Sequence, residues 1–361
     1  MKKRTIIIGV FIRENSAITN YYFKLADELI KLNYKVIIVT DEDRHDLVGK
    51  IGKIEILTWP SYYPTKIRDF LFISRLIKKS RPIMMISNFG ATNFFLMAGK
   101  LYGVPHRIPW IHTMSTQLTE IAPWKFWRKR YVYKLATHFI ANSSATKKNA
   151  IDKFFIEVSK ITVVPNLIYN NDKYISKAKE NTIVFVGRFH ESKGIDTLIK
   201  AMQIVTKALP ELKLKIIAGG DDTKYKQMVE SFNLNKNIVF LGRISHEEVF
   251  EHLAKAQCSI VPSIYEAFGY VVIESFSVKT PVIGSNTGGI SEIITDNVDS
   301  MLFPVNSHKI LAEKIIRMTS NTKLEKKYAE NAYKTFKNSY ELDSNIYRIT
   351  EVLNSLLSKN S

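Results

Sequence analysis

One cysteine, Cys258, stands in 361 residues. An intramolecular disulfide is thereby excluded, and the apolar setting of this thiol assigns it a packing role in a reducing compartment. No internal repeat and no low-complexity tract interrupts the chain, which argues against solenoid, fibrous and disordered classes. Long apolar runs are scarce as well. The uncharged stretch from Ile83 to Gly99 contains Ser87, Asn88, Gly90, Thr92 and Asn93. It falls short of the roughly 20 apolar residues of a membrane span and reads as a strand, a turn and a buried helix. The opening Met1-Lys2-Lys3-Arg4 carries the charge of a leader peptide, but the apolar run ends at Arg13-Glu14 without a small-residue cleavage site. It is expected to be a first strand.

Acidic residues are scarce in one half only. Residues 1–170 hold 27 Lys and Arg against 12 Asp and Glu, whereas residues 171–361 hold 25 against 22. The first half therefore carries most of the net charge of +18, which points to an anionic surface or partner for it. Hydrophobic content of 45% and charged content of 24% are ordinary for a globular chain, and the length predicts two domains, each with its own core.

Strand-like runs alternate with helical spacing along the chain. Thr5–Val10, Lys35–Thr40, Ile54–Thr58, Ile83–Ser87, Arg107–Ile111 and His138–Ala141 form a first set. Ile183–Val186, Leu214–Ala218, Ile238–Leu241, Ser259–Val261 and Val282–Gly284 form a second. Both halves are expected to be doubly wound parallel sheets, an α/β class. The polar run from Tyr169 to Asn181 is the best linker, placing the boundary between 1–168 and 169–341.

Two motifs carry chemistry. From Glu266 to Glu274 the chain reads Glu-Ala-Phe-Gly-Tyr-Val-Val-Ile-Glu, after the buried-strand run Cys258–Ser263. A helix starting near Phe268 directs free N–H groups and the positive end of its dipole at the preceding loop. Glu266 is then in that loop, and Glu274 about two turns along. Two acids on a solvated helix are the plain alternative. Upstream, Thr182-Ile-Val-Phe-Val-Gly187-Arg188 is a strand run whose Gly187 permits a tight turn, and Arg188 and Lys193 bracket the loop after it. A forked guanidinium and a compact ammonium at that spacing outline a diphosphate clamp, although two solvated loop cations are the common case.

Two basic segments of the first half have helical spacing. Lys66–Lys79 has apolar positions 67, 70, 71 and 77 assigned to one face. Trp124–Lys134 places Trp124, Trp127 and Tyr131, with Leu135 next, on one stripe beside Lys125, Arg128, Lys129 and Arg130. Basic helices with aromatic anchors suit an anionic membrane surface, and an ordinary core face is the competing reading.

Gly187-Arg188 with Lys193-Gly194, Gly219-Gly220-Asp221, Glu266 with Glu274, and Thr287-Gly288-Gly289 followed by Glu292 resemble the signature of family-four retaining glycosyltransferases of the GT-B fold. The match is specific from about Thr182 to Phe303 and weaker before it. The resemblance implies two Rossmann-like domains facing across a cleft, an acceptor-binding one of residues 1–168 joined by a last helix at about 342–361, and a donor-binding one of residues 169–341. It implies that Arg188 and Lys193 neutralise the leaving diphosphate, that Glu274 holds the donor ribose, and that Glu266 holds the transferred sugar. It adds Gly187, Gly220, Arg243, Phe268, Gly269, Tyr270 and Val271 to the donor site. His112 takes a place facing the transferred sugar, and Arg13 or Asn15 substitutes for a Gly-rich loop that the first strand lacks. No metal and no cofactor are expected beyond the nucleotide-sugar co-substrate, because two cations and a helix dipole carry that electrostatic role.

The function this resemblance implies is retaining transfer from a nucleotide-diphosphate sugar to a lipid-linked or glycan acceptor, in polysaccharide or glycoconjugate biosynthesis. The setting expected is cytoplasmic and peripheral at the inner face of the membrane. A soluble acceptor, or a nucleotide-sugar epimerase of the same fold, is the alternative. Nucleic-acid binding leaves the Glu pair unexplained.

Overall fold

The computed structural model describes residues 3–14, 16–41, 49–62, 64–114 and 123–358. The chain divides into two compact units, Met1–Leu167 with Asn345–Ser361, and Ile168–Ser344.

The first unit runs β1 (Thr5–Gly9), α1 (Ala17–Lys31), β2 (Lys35–Thr40), β3 (Gly49–Ile51), β4 (Ile54–Thr58), α2 (Ile67–Ser80) and β5 (Pro82–Ser87). It continues with α3 (Thr92–Leu101), β6 (His106–Ile111), α4 (Pro123–Tyr133), β7 (Phe139–Ala141), α5 (Ser144–Phe154) and β8 (Ile161–Val163). The sheet order is β3-β4-β2-β1-β5-β6-β7-β8, parallel except where β3 pairs with β4. Ile6, Ile7 and Ile8 of β1 are all fully buried, as expected for a strand covered on both faces. Each such residue contributes about 1.5–3 kcal/mol of burial.

The second unit runs β9 (Thr182–Arg188), α6 (Ile195–Ala208), β10 (Lys213–Gly219), α7 (Thr223–Ser231), β11 (Ile238–Gly242), α8 (His246–Lys255) and β12 (Cys258–Val261). Then follow α9 (Tyr270–Ser277), β13 (Val282–Ser285), α10 (Ile290–Ile293), β14 (Met301–Phe303), α11 (His308–Thr319), α12 (Thr322–Ser339) and α13 (Leu342–Asn345). Its parallel sheet has the order β11-β10-β9-β12-β13-β14. Alternate residues of β9 serve opposite cores: Ile183 and Phe185 pack with α6 and α11, and Val184 with Val249, Phe250 and Leu253 of α8. Cys258 is buried in β12, and that burial pushes its thiol pKa up.

Three features depart from expectation. The linker run is laid on the second unit, where Lys179 Nζ donates to Ala254 O (2.9 Å), Lys279 O (3.2 Å) and Thr280 Oγ1 (2.9 Å). Burial lowers that ammonium to about 8. The single last helix is two pieces, α13 and α14 (Tyr347–Ser358), with a turn at Ile346 whose side chain is buried; α14 packs against α1 in the first unit. In α2 the core face is Ile73, Leu76 and Ile77, while Ile67 is 79% exposed and Leu71 is exposed too. The four apolar positions therefore do not share a face. Buried Asp69 sets the rotation, its Oδ2 accepting from the backbone N–H of Thr65 (3.1 Å) and Lys66 (2.9 Å) at the helix start.

Candidate functional site

In each sheet the order of the parallel strands reverses once, between β1 and β5 and between β9 and β12. Strands on either side of such a point send their following loops apart, which opens a crevice at their carboxyl ends. In the second unit the loops bordering it are those after β9 and β12, the two that the motifs single out.

Two glycines bring loop and backbone into close approach there. Gly194 has φ +66°, and a Cβ on it would lie 2.0 Å from Pro262 O, so no other residue fits between the β9 loop and the end of β12. Ile264 N then donates to Ser192 O at 2.8 Å, joining the two loops through backbone. The turn Thr287-Gly288-Gly289 grips the β12 loop from the other side. Gly289 N donates to Glu266 O (3.0 Å), Thr287 Oγ1 to Ile264 O (3.0 Å), and a Cβ on Gly288 would lie 2.0 Å from Glu266 O. These contacts hold Glu266 in reach of Lys193, whose Nζ lies 2.6 Å from Glu266 Oε2 with both side chains mostly buried. The two residues assigned to sugar and diphosphate thus neutralise each other in this structure.

Arg188 ends β9, paired in register with Gly219 of β10. Gly187 is not a turn: it continues β9, and a Cβ there would meet the Phe185 ring at 2.9 Å, so its smallness serves packing. Gly220 supplies the left-handed backbone instead, with φ +114° against Phe189. Arg243 follows β11, and its Cβ and Cδ stand 3.9 Å from where a Gly219 Cβ would be. Among the described residues neither Arg188 nor Arg243 has a carboxylate partner, and both are exposed. Cations therefore cluster at the carboxyl ends of β9 and β11.

Helix α9 starts at Tyr270, two residues later than Phe268, because Gly269 caps it with φ +109°. The N–H groups of Tyr270 and Val271 sit in its first turn, where no intrahelical carbonyl is available. Phe268 is buried with its ring edge-on to Tyr270 (5.5 Å). Burial, and then Glu274, raise the Tyr270 phenol. Glu274 lies one turn along rather than two. It is buried, and its Oε1 is 3.3 Å from His246 Nε2. That hydrogen bond raises the His246 pKa against the opposing effect of burial. His246 was not foreseen. Its signal was Ser245-x-x-Glu248, a capping box that starts α8 at the carboxyl end of β11 and puts the next residue at the crevice.

In the first unit, His112 follows β6. Its ring stacks on Trp110 (5.6 Å, 15°), and its Nε2 is 3.3 Å from Tyr22 Oη. Burial lowers it to about 3, so at neutral pH it is an uncharged hydrogen-bonding group. Arg13 lies in the β1–α1 loop with its Nη1 2.5 Å from Asp41 Oδ2 and donating to Ile12 O (2.8 Å). Asp41 is 1% exposed, so that guanidinium compensates a buried carboxylate, which competes with any phosphate role. Asn15 lies outside the described residues, as does the side chain of Lys125. On α4 three residues of the stripe point to solvent, Trp124, Trp127 and Tyr131 being 59%, 57% and 64% exposed; the fourth, Leu135, lies beyond the helix end and packs with Val132 and Tyr133 on the core. Arg128 lies 5.3 Å from the Trp124 ring centre and Arg130 5.4 Å from that of Trp127; Lys129 lies over the core-facing Tyr133 ring (5.3 Å). Among the described residues, no helix is long and apolar enough to cross a membrane.

Residues 170–335 match the family described as glycosyl transferases group 1, and residues 18–169 the one described as glycosyltransferase family 4. An uncharacterised glycosyltransferase of Methanocaldococcus jannaschii is 31% identical over 63% of this chain and 63% of its own length, so the chain spans less than two thirds of that relative. The gpi3 subunit of phosphatidylinositol N-acetylglucosaminyltransferase from Schizosaccharomyces pombe is 24% identical over 99% of this chain and 81% of its own. Among solved structures, sucrose-phosphate synthase from Thermosynechococcus elongatus superposes with a TM-score of 0.80 at 17% identity, covering 99% of this chain and 100% of that one. HepE of Anabaena in complex with UDP-glucose gives 0.77 at 16%, covering 97% and 99%. The two parallel sheets and their neighbours define a GT-B fold. The chain belongs to the group 1 glycosyltransferases.

Proposed function

We propose that this protein transfers a sugar, with retention of anomeric configuration, from a nucleotide-diphosphate sugar to a lipid-linked or glycan acceptor at the cytoplasmic face of a membrane. The observation that carries the reading is the meeting of the β9 and β12 loops at the second unit's switch point, with Lys193 on Glu266 and, along the same edge, Arg188 and Arg243 without a carboxylate partner among the described residues. The solved UDP-glucose complex of a protein with this fold supports the donor class.

In this reading the diphosphate enters beside Arg188 and the α9 amides and draws Lys193 away from Glu266. Glu266 is then free to accept from hydroxyls of the transferred sugar. Glu274, oriented by His246, accepts from the vicinal ribose hydroxyls. The bond from the anomeric carbon to the diphosphate oxygen breaks, the bond to the acceptor oxygen forms on the same face, and the acceptor proton passes to the departing phosphate. Arg188 and Lys193 stabilise that leaving group as its charge develops, without a metal. The lipid in the name of the Schizosaccharomyces pombe relative, together with the outward Trp124 and Trp127 among Arg128, Lys129 and Arg130, supports a membrane-bound acceptor.

Incubation with a panel of nucleotide sugars, with and without a lipid acceptor, tests it by the nucleotide released and the anomeric configuration of the product. Turnover that conserves the anomer is expected. Release of no nucleotide from any donor, or an inverted product, overturns the reading. Sedimentation with anionic but not neutral vesicles, weakening as salt rises, tests the membrane setting.

A further inference from the structure

Beside the aromatic stripe of α4 lies a cavity of about 350 Å³ that the glycosyl-transfer reading does not use. Its floor is apolar, made by Tyr133 and Phe154, which belong to the core beneath α4 and α5. Its rim is cationic, made by Arg130, Lys134 and Lys160. The one carboxylate among its lining residues, Glu157, is already held by Lys160 at 2.6 Å. Among the described residues neither Arg130 nor Lys134 has a carboxylate partner.

The rim is also shaped by aromatic rings. Phe155 ends α5 in the left-handed region, φ +55°, and this leaves its ring 66% exposed. Arg130 stacks on that ring at 3.8 Å while also lying 5.4 Å from the Trp127 centroid. A guanidinium held between two exposed rings keeps its forked donors fixed and loses little freedom on meeting a phosphate. Lys134 lies over Tyr131 at 5.2 Å, and Val158 is exposed alongside. Cations at the mouth, rings around it and an apolar floor match an amphiphile with an anionic head. An inorganic anion has no use for the floor.

We propose that this cavity binds the phosphate-bearing headgroup of one membrane lipid. Arg130 and Lys134 take the phosphate, and the Phe155 and Tyr133 rings pack on the glycerol and first methylenes. The acyl chains remain in the bilayer among Trp124, Trp127 and Tyr131. This inference rests on the membrane setting proposed above and adds to it: the surface recognises a phosphate head by shape, beyond its attraction to negative charge.

The test uses the full chain and dihexanoyl phosphatidic acid kept below its micellar concentration, followed by calorimetry and tryptophan fluorescence. Saturable binding with one site per chain is expected. Lys134→Ser with Arg130→Gln weakens it tenfold or more, whereas Trp124→Ser, which leaves the rings around Arg130 in place, lowers vesicle sedimentation and changes the affinity for the short-chain lipid less than twofold. Nucleotide binding by the second unit and the melting temperature check that each variant is folded. If the short-chain lipid does not saturate while vesicles still bind, the cavity inference is overturned and the membrane setting stands. If it saturates while vesicles do not bind, the cavity inference stands and the membrane setting falls. If inorganic phosphate binds as tightly as the lipid, the site is an anion site and the proposal is overturned.

Discussion

At the carboxyl edge of the second sheet, Lys193 and Glu266 hold each other across two loops while Arg188 and Arg243 remain without a carboxylate among the described residues. At the same edge of the first sheet, Arg13 is tied to buried Asp41, and His112 lies against Trp110 with Tyr22 on its Nε2. Both edges follow one plan, a sheet whose parallel strands reverse their order once. The difference lies in what the charged groups face. In the second unit they face an open crevice and each other, so an incoming anion can displace a partner. In the first unit exposed Arg13 is committed to the buried carboxylate of Asp41, and half-buried His112 to Trp110 and Tyr22. The two edge histidines express this contrast: burial holds His112 down at about 3, whereas a carboxylate raises His246.

The largest effect should come from the open edge. Arg188→Ala is expected to lower kcat by about 10²–10³, the range for removing one transition-state charge donor. The melting temperature should stay near that of the wild type, since the side chain is exposed. Turnover close to wild type in a folded variant would remove Arg188 from the mechanism.

The closed edge should respond to acid. His112 is neutral in the folded protein but titrates near 6.5 when unfolded, so the unfolded chain binds the extra proton below that pH. Stability is therefore expected to fall by about 1.6 kcal/mol between pH 6.5 and pH 5, the slope growing from half of 1.36 kcal/mol per pH unit toward the full value. Denaturant midpoints across this range measure it. His112→Gln should flatten the dependence, and an equally steep curve in that variant would place the acid sensitivity elsewhere.

A smaller effect separates the two acids of the open edge. Glu274→Ala should weaken nucleotide binding by roughly tenfold or more, the range for a hydrogen bond to a charged group. Glu266→Ala should suppress transfer with a lesser change in nucleotide affinity. Calorimetry with the nucleotide diphosphate, beside turnover, distinguishes them, and the opposite pattern means their roles are exchanged.

The smallest effect has the opposite sign to that of His112. Glu274 favours the imidazolium of His246 in the folded state, so this pairing adds stability below about pH 6.5 and loses it as pH rises through the higher folded value. His246 is partly exposed, and solvent screening keeps the contribution to a few tenths of a kcal/mol. NMR titration of the His246 ring checks it: the pKa should drop on Glu274→Gln, and an unchanged value would show that the pair does not form in solution.

Much of the fold was legible because strands buried on both faces read as unbroken apolar runs, as in Ile6-Ile7-Ile8 and Ile183–Val186. Strands β3, β8 and β14 were not, being three residues each; β7 is no longer, but it falls within the apolar run His138–Ala141. Lys193 and Glu266 were legible as separate loop residues of opposite charge. Their pairing was not, because it depends on Gly194 and Gly288 letting three loops touch. The α2 stripe was misassigned because Asp69, polar by type, is buried as a helix cap and turns the helix about its axis.

The sequence by itself determined the α/β class, the place of the two motif-bearing loops at strand ends and the excess of positive charge in the first half, since each follows from periodicity, turn residues or composition along a short stretch. Only the tertiary structure decided that Arg13 answers Asp41, that His246 answers Glu274, and that Trp124, Trp127 and Tyr131 face outward. Those outcomes depend on which distant residue shares a face or a desolvated pocket, and no local pattern encodes a partner 28 positions away.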